Sequence, residues 1–112
     1  MNKIFNHKVK VYYEDTDAGG VVYYANYLKY FERARTEALA DIGLSNIKIK
    51  KDFETLIIVK SCSIDYKKPA FLEDNLDINS HIISNSKTSF IMNQTIIKNK
   101  ITIVEAKIHL VF

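Results

Sequence analysis

The sequence has few of the residues that staple, bend or stiffen a chain. In 112 residues there are one cysteine, one proline, three glycines and no tryptophan. A single cysteine, Cys62, excludes an internal disulfide and fits a reducing compartment. No apolar run approaches the roughly 20 residues of a membrane span. Met1 to Lys10 carries charge throughout, so no signal peptide is visible and a cytoplasmic location is expected. A large excess of one charge is missing too: +3 is too mild to imply nucleic acid, although it tolerates an anionic ligand. His7, His81 and His109 fall outside any metal-ligand spacing, and neither metal nor cofactor is expected. There is no repeat, low-complexity tract or linker.

What is present is an ordinary globular balance, 47% hydrophobic and 26% charged. The length suits one core, so residues 1–112 read as one domain. Lysine is so abundant that a single lysine carries little weight.

Lys8 to Tyr13 alternates polar and apolar residues, which predicts a strand. Glu14 to Gly20, with Asp15, Asp17 and the Gly19-Gly20 pair, predicts a tight turn. Asn26 to Ile42 follows as a helix that Gly43 ends. Tyr27, Phe31, Ala34, Ala38 and Ile42 form its apolar stripe, flanked by Leu28, Tyr30 and Leu39. Ala34 and Ala38 let another layer approach closely, so the helix is expected to be wrapped by a sheet. Its charged residues suggest ion pairs, Glu32 with Arg35 and Arg33 with Glu37, and Arg35 projects into the apolar arc.

Leu44 to Glu54, polar and lysine-rich, reads as a connection with room for a helical turn. Leu56–Tyr66, Leu76–Ser84, Thr88–Lys98 and Ile101–Phe112 are rich in β-branched residues and predict four strands in a meander. Cys62 is expected to be a small buried hydrophobe. The last strand stops at Phe112 with no closing turn, which suggests either truncation or an edge strand. A helix before a run of strands gives an α+β class, with the helix on one face of an antiparallel sheet.

The chemistry-bearing stretch is the loop feeding the helix. A helix N-terminus attracts negative charge and polarises carbonyl oxygens. Asp17, just ahead of it, could be a turn or capping carboxylate, or a general base or nucleophile. Asp15 is the rival carboxylate and reads better as a turn residue.

Tyr13-Glu14-Asp15-Thr16-Asp17-Ala18-Gly19-Gly20-Val21-Val22-Tyr23, then Ala25-Asn26-Tyr27 and Glu32-Arg33-Ala34-Arg35-Thr36-Glu37, resembles the signature of hotdog-fold acyl-CoA thioesterases. The similarity is to the YbgC-type, Tol–Pal-associated group and its kin, bacterial 4-hydroxybenzoyl-CoA thioesterase. Asp65-Tyr66-Lys67-Lys68-Pro69-Ala70, followed by Asp74, resembles a weaker second motif. The resemblance implies a hotdog fold: a five-stranded antiparallel sheet wrapped around one long central helix. It also implies hydrolysis of acyl-CoA to a carboxylic acid and CoA, with Asp17 as base or nucleophile. The backbone N–H near Tyr24 would stabilise the oxyanion. Tyr13, Gly19, Gly20 and Val21 would line the substrate, and Lys60, Lys87 and the Lys67-Lys68 pair are candidates for the CoA phosphates. The family pairs subunits into homodimers, often paired again into tetramers, with active sites at the dimer interface.

One position departs from the group. Tyr24 stands where the YbgC-type members usually carry His, which removes an acid–base partner. That favours one alternative, a catalytically weak binding module for acyl-CoA or acyl carrier protein; a second alternative is a hotdog dehydratase of hydroxyacyl thioesters. The dehydratase usually needs an Asp/His pair, and the motif has no His.

Overall fold

The computed structural model describes residues 3–112. Strand β1 (Phe5–Lys10) leads through a 3-10 turn (Tyr13–Asp15) to the long helix α1 (Asn26–Asp41). A second helix, α2 (Asn46–Phe53), precedes β2 (Ile58–Tyr66), β3 (Asn75–Asn85), β4 (Ser89–Lys98) and β5 (Ile101–Val111). The class is α+β, and all pairings in the sheet are antiparallel.

The expected meander is corrected by the strand order, β1-β3-β4-β5-β2. Only β3, β4 and β5 follow one another; β2 lies at the far edge, paired with β5. The reason is α1, which carries the chain across the sheet, so that the strand after the helices starts at the opposite edge. The link from β2 to β3 must then come back across. β5 is therefore an interior strand rather than an edge. β1 also begins and ends earlier than expected, which leaves Tyr12 and Tyr13 outside it.

The sheet's inner face is apolar because alternate residues of a strand share a face. Leu76 and Ile78, Phe90, Met92 and Ile96, and Val104, Ala106, Ile108 and Leu110 are all buried. Against them α1 buries Tyr27, Tyr30, Phe31, Ala34, Ala38 and Leu39, with both alanines in the contact as expected. Leu28 and Ile42, placed in the apolar arc from spacing, are exposed.

One polar cluster stands inside this core. Gln94, on β4, donates from Nε2 to the Phe31 carbonyl (3.0 Å) and to Ser80 Oγ (2.8 Å). Its Oε1 accepts from Arg35 Nη1 at 3.1 Å. Gln94 thus has both ends of its amide bonded, as a buried amide must. Arg35 turns inward to it, where burial lowers the guanidinium pKa. The expected Glu32–Arg35 and Arg33–Glu37 pairs are not among the salt bridges of the described residues. Glu32 instead accepts from Thr36 Oγ1.

Two more expectations are corrected. Leu44–Glu54 holds a true helix, α2, capped by Ser45, whose Oγ accepts from Lys48 N–H. Its only buried side chain is Ile49, so its lysines hide the helical period. Cys62 is exposed, because its side chain lines an open groove between β2 and α1 rather than a packed contact. Between β4 and β5 the turn residues Asn99 and Lys100 both have positive φ (50° and 66°), the two-residue hairpin geometry that matches strand twist.

Candidate active site

The loop between the 3-10 turn and α1 is short and heavily cross-linked. Thr16 bridges Val22, Asp17 N–H donates to the Val21 carbonyl (2.9 Å), and Gly20 N–H to the Asp17 carbonyl (3.0 Å). Gly20 takes φ +81°, a left-handed value that closes the turn and that a side chain would strain. Asp17 Oδ1 accepts from Gly19 N–H at 2.8 Å. A Cβ at Gly19 would lie 3.2 Å from that oxygen, so glycine leaves the carboxylate room. Among the described residues Oδ2 has no donor, and the Asp17 side chain is exposed. The carboxylate is anchored by one oxygen and free at the other.

Asp15 does the opposite work. It is buried, its Oδ2 accepts from Tyr12 N–H (2.9 Å), and its carbonyl receives Tyr23 N–H (2.9 Å) and Asn26 Nδ2 (2.8 Å). The reading of Asp15 as a turn residue is extended: it ties the 3-10 turn to the helix entry. The Tyr30 hydroxyl is buried nearby with no hydrogen-bond partner among the described residues. Burial first, then the Asp15 carboxylate, holds its phenol protonated well above the ordinary tyrosine value.

The helix entry winds before α1 itself starts. Asn26, Tyr27 and Leu28 donate to the carbonyls of Tyr23, Tyr24 and Ala25. The amides of Tyr24 and Ala25 stand ahead of these bonds and donate to no acceptor among the described residues. Free N–H groups at a helix N-terminus are donors for a developing oxyanion.

Beside them is a groove of about 270 Å³, lined by Val22, Tyr24, Tyr27, Tyr66, Lys67, Lys68 and Pro69. Tyr24 meets Tyr66 edge-on (6.3 Å between ring centres), and Tyr27 meets Tyr66 at 5.7 Å. Burial raises the Tyr66 phenol pKa, and the neighbouring Tyr24 hydroxyl raises that of Tyr23. Buried Tyr27 accepts Ala70 N–H on its hydroxyl (3.0 Å), which fixes the far wall.

The structure brings Asp17, Gly19, Gly20 and Val21 into one loop and sets Tyr24 at the helix entry, beside Tyr66 and the Lys67-Lys68 pair. It does not bring the other candidates there. Tyr13 is exposed on the 3-10 turn. Lys60 sits at the bulge between Val59 and Ser61 on the edge strand. Lys87 lines a separate gap with Leu44, Ile49, Phe53, Thr55 and Phe112, beyond the distal end of β3. That eleven-residue strand is roughly 35 Å long. Asn26, Tyr66 and Asp74 were within the quoted motifs but without a role; Asn26 could have been singled out as an amide at a helix entry, where such side chains bond backbone.

No helix among the described residues is long and apolar enough to cross a membrane, and no cluster of His, Cys, Asp and Glu among them could hold a metal ion.

The comparisons with known proteins agree with this geometry. Residues 11–112 match the thioesterase-like superfamily. The acyl-CoA thioesterase YbgC of Haemophilus influenzae is 36% identical over 104 residues, 93% of this chain and 76% of that protein. The acyl-CoA thioester hydrolase YbgC of Escherichia coli O6:H1 is 40% identical over 101 residues, 90% of this chain and 75% of that one. A crystal structure of a probable thioesterase from Bartonella henselae superposes with TM-score 0.92 at 32% identity, covering 97% of this chain and 90% of its own. The chain belongs to the thioesterase-like superfamily, as a hotdog-fold member alongside the YbgC-type acyl-CoA thioesterases.

Proposed function

We propose that residues 1–112 act as one acyl-CoA thioesterase domain, with Asp17 as its base or nucleophile. The observation that carries this reading is the half-anchored carboxylate: Gly19 N–H holds Oδ1 and leaves Oδ2 for chemistry. As general base, Asp17 takes a proton from water while the water oxygen bonds to the thioester carbon. As nucleophile, Oδ2 itself bonds to that carbon and forms a mixed anhydride that water then opens. Both routes place negative charge on the carbonyl oxygen, and the free amides at Tyr24 and Ala25 supply donors for it. When the carbonyl re-forms, the C–S bond breaks and CoA leaves as a thiolate that takes up a proton. The products are a carboxylic acid and CoA.

Gly20 and Val21 shape the loop, and the tyrosine-lined groove suits the acyl part of the substrate. Lys67 and Lys68 at its rim are better placed than Lys60 or Lys87 for the CoA phosphates. Release of free thiol from a panel of acyl-CoAs tests the reading. Asp17→Asn should lose about 10²- to 10⁴-fold in rate, the usual worth of a positioned acid or base; equal rates in both proteins would sink the assignment. An acyl-CoA or acyl-carrier-protein binding module, which Tyr24 in place of His favours, requires tight binding in that panel without turnover.

The working unit is a homodimer, or a tetramer built from it. Support comes from β2, an edge strand with no outer partner among the described residues, whose Ile58 and Val59 are exposed, and from the open groove of about 540 Å³ between it and α1. Bare edges of this kind invite a second strand. Sedimentation at micromolar concentration should show no monomer; a monomer active at that concentration would refute the dimer requirement.

A further inference from the structure

The Asp17 loop leans on the segment that links β2 to β3. Val22 N–H donates to the Ala70 carbonyl at 2.8 Å, and Val21 and Phe71 form an isolated antiparallel bridge. The linking segment is irregular and is held at several points: Tyr27 takes Ala70 N–H, Val11 N–H donates to the Asp74 carbonyl, and Glu73 N–H donates to the Val11 carbonyl. The Asp74 side chain adds the bond nearest the bridge: its Oδ2 accepts from Phe71 N–H at 2.7 Å, and the Asp74 N–H returns to the Phe71 carbonyl at 3.0 Å.

The same Oδ2 faces Lys98 Nζ at 2.7 Å, and that ammonium lies 5.0 Å from the centre of the Phe71 ring. Lys98 closes β4, immediately before the rigid two-residue turn. The pair differs from the other salt bridges of the described residues. Lys98 and Asp74 side chains are 27% and 18% exposed, whereas those in the other three bridges are 39% to 81% exposed. Exposed pairs contribute little, but a shielded pair with the carboxylate also bonded to backbone holds its geometry.

We infer that the Lys98–Asp74 pair is a positioning latch for Asp17, acting through Phe71 and Val21 without touching substrate. Removing the cation lets the Asp74 carboxylate turn to solvent. Phe71 N–H then loses its acceptor, the bridge to Val21 loosens, and Asp17 spends less time in its reactive geometry. The loss falls on the chemical step rather than on substrate affinity. This inference rests on the assignment of Asp17 made above.

The test uses the full chain and an acyl-CoA that it turns over. Lys98→Met should lower kcat about tenfold with KM within twofold, and Lys98→Arg, which keeps the cation, should recover most of the loss. In an Asp17→Asn background Lys98→Met should cost nothing further, because the latch works only through Asp17. Independently of activity, amide hydrogen exchange at Val22 should quicken in Lys98→Met and in Asp74→Asn, while Met92 and Ile108 in the core stay protected. Unchanged Val22 exchange in both variants, or equal rate losses in the two Asp17 backgrounds, would overturn the latch. Wild-type rates in Asp17→Asn would instead overturn the assignment of Asp17, so the two failures are distinct.

Discussion

The two ends of the sheet are held by different forces. At the Asp17 end, the amides of Asp17, Gly20 and Val22 donate to the carbonyls of Val21, Asp17 and Ala70, Gly19 N–H holds the Asp17 carboxylate, and Asn26 adds a side-chain bond. At the other end α2 covers an apolar gap of about 300 Å³ with Ile49 as its buried contact and Ser45 as its polar fixture. Apolar contact fixes proximity, whereas hydrogen bonds fix position and direction. The directed bonds are concentrated around the Asp17 carboxylate, and the apolar contact lies at the α2 end.

That contrast can be broken deliberately. Ile49→Ala at the α2 end should cost about 2–5 kcal/mol in a denaturant melt, as a fully buried isoleucine does. Turnover per folded molecule should not change; a kcat loss would mean that the ends are coupled. Gly19→Ala at the other end should behave in reverse. Its new methyl crowds Asp17 Oδ1 at 3.2 Å, so kcat should fall about tenfold, near 1.4 kcal/mol, with the melting midpoint nearly unmoved. Ser45→Ala should remove about 1 kcal/mol of stability through the lost cap, again without a rate effect.

The smallest effect at neutral pH is expected for Tyr30→Phe. Its hydroxyl has no partner among the described residues, so removing it should change stability by less than about 1 kcal/mol. The difference appears in alkali. Burial raises the native phenol's pKa above 10.0, while the unfolded phenol ionises near that ordinary value. The unfolded state therefore loses its proton first. Tyr30 contributes stability that is fully present below pH 10 and drains away as pH rises through the native pKa. Tyr30→Phe should flatten the alkaline arm of a stability–pH curve; an unchanged slope would refute the shift.

The sequence told much about the Asp17 end and little about what covers β2. The loop motif, the glycine pair and the helix are local signals, and local signals survive in a linear chain. Tyr27 and Phe31 revealed the buried face of α1 by spacing, and Gly43 revealed its end. The strand order was not legible, because pairing β2 with β5 depends on a helix carried across the sheet, and alternation in Ile58–Tyr66 is the same at either edge. Cys62 shows the same limit: its neighbours say strand, but nothing in them says whether that face is covered. Arg35 was seen to point inward, yet its partner Gln94 lies 59 residues away in the chain and no short pattern announces it. Helix α2 was hidden by its lysines, although Ser45 marked its start.

Gln94 carries a consequence for the uniqueness of the fold. Its neighbours on the inner face of β4 are greasy and interchangeable, so they would tolerate the strand sliding by two residues. The amide would not: a slide separates it from the Phe31 carbonyl of the helix and from Ser80 of the adjacent strand at once. An apolar core rewards any compact arrangement, and this one buried amide singles out one alignment of helix and two strands. The mutual alignment of α1, β3 and β4 therefore hangs on a polar side chain set among apolar ones.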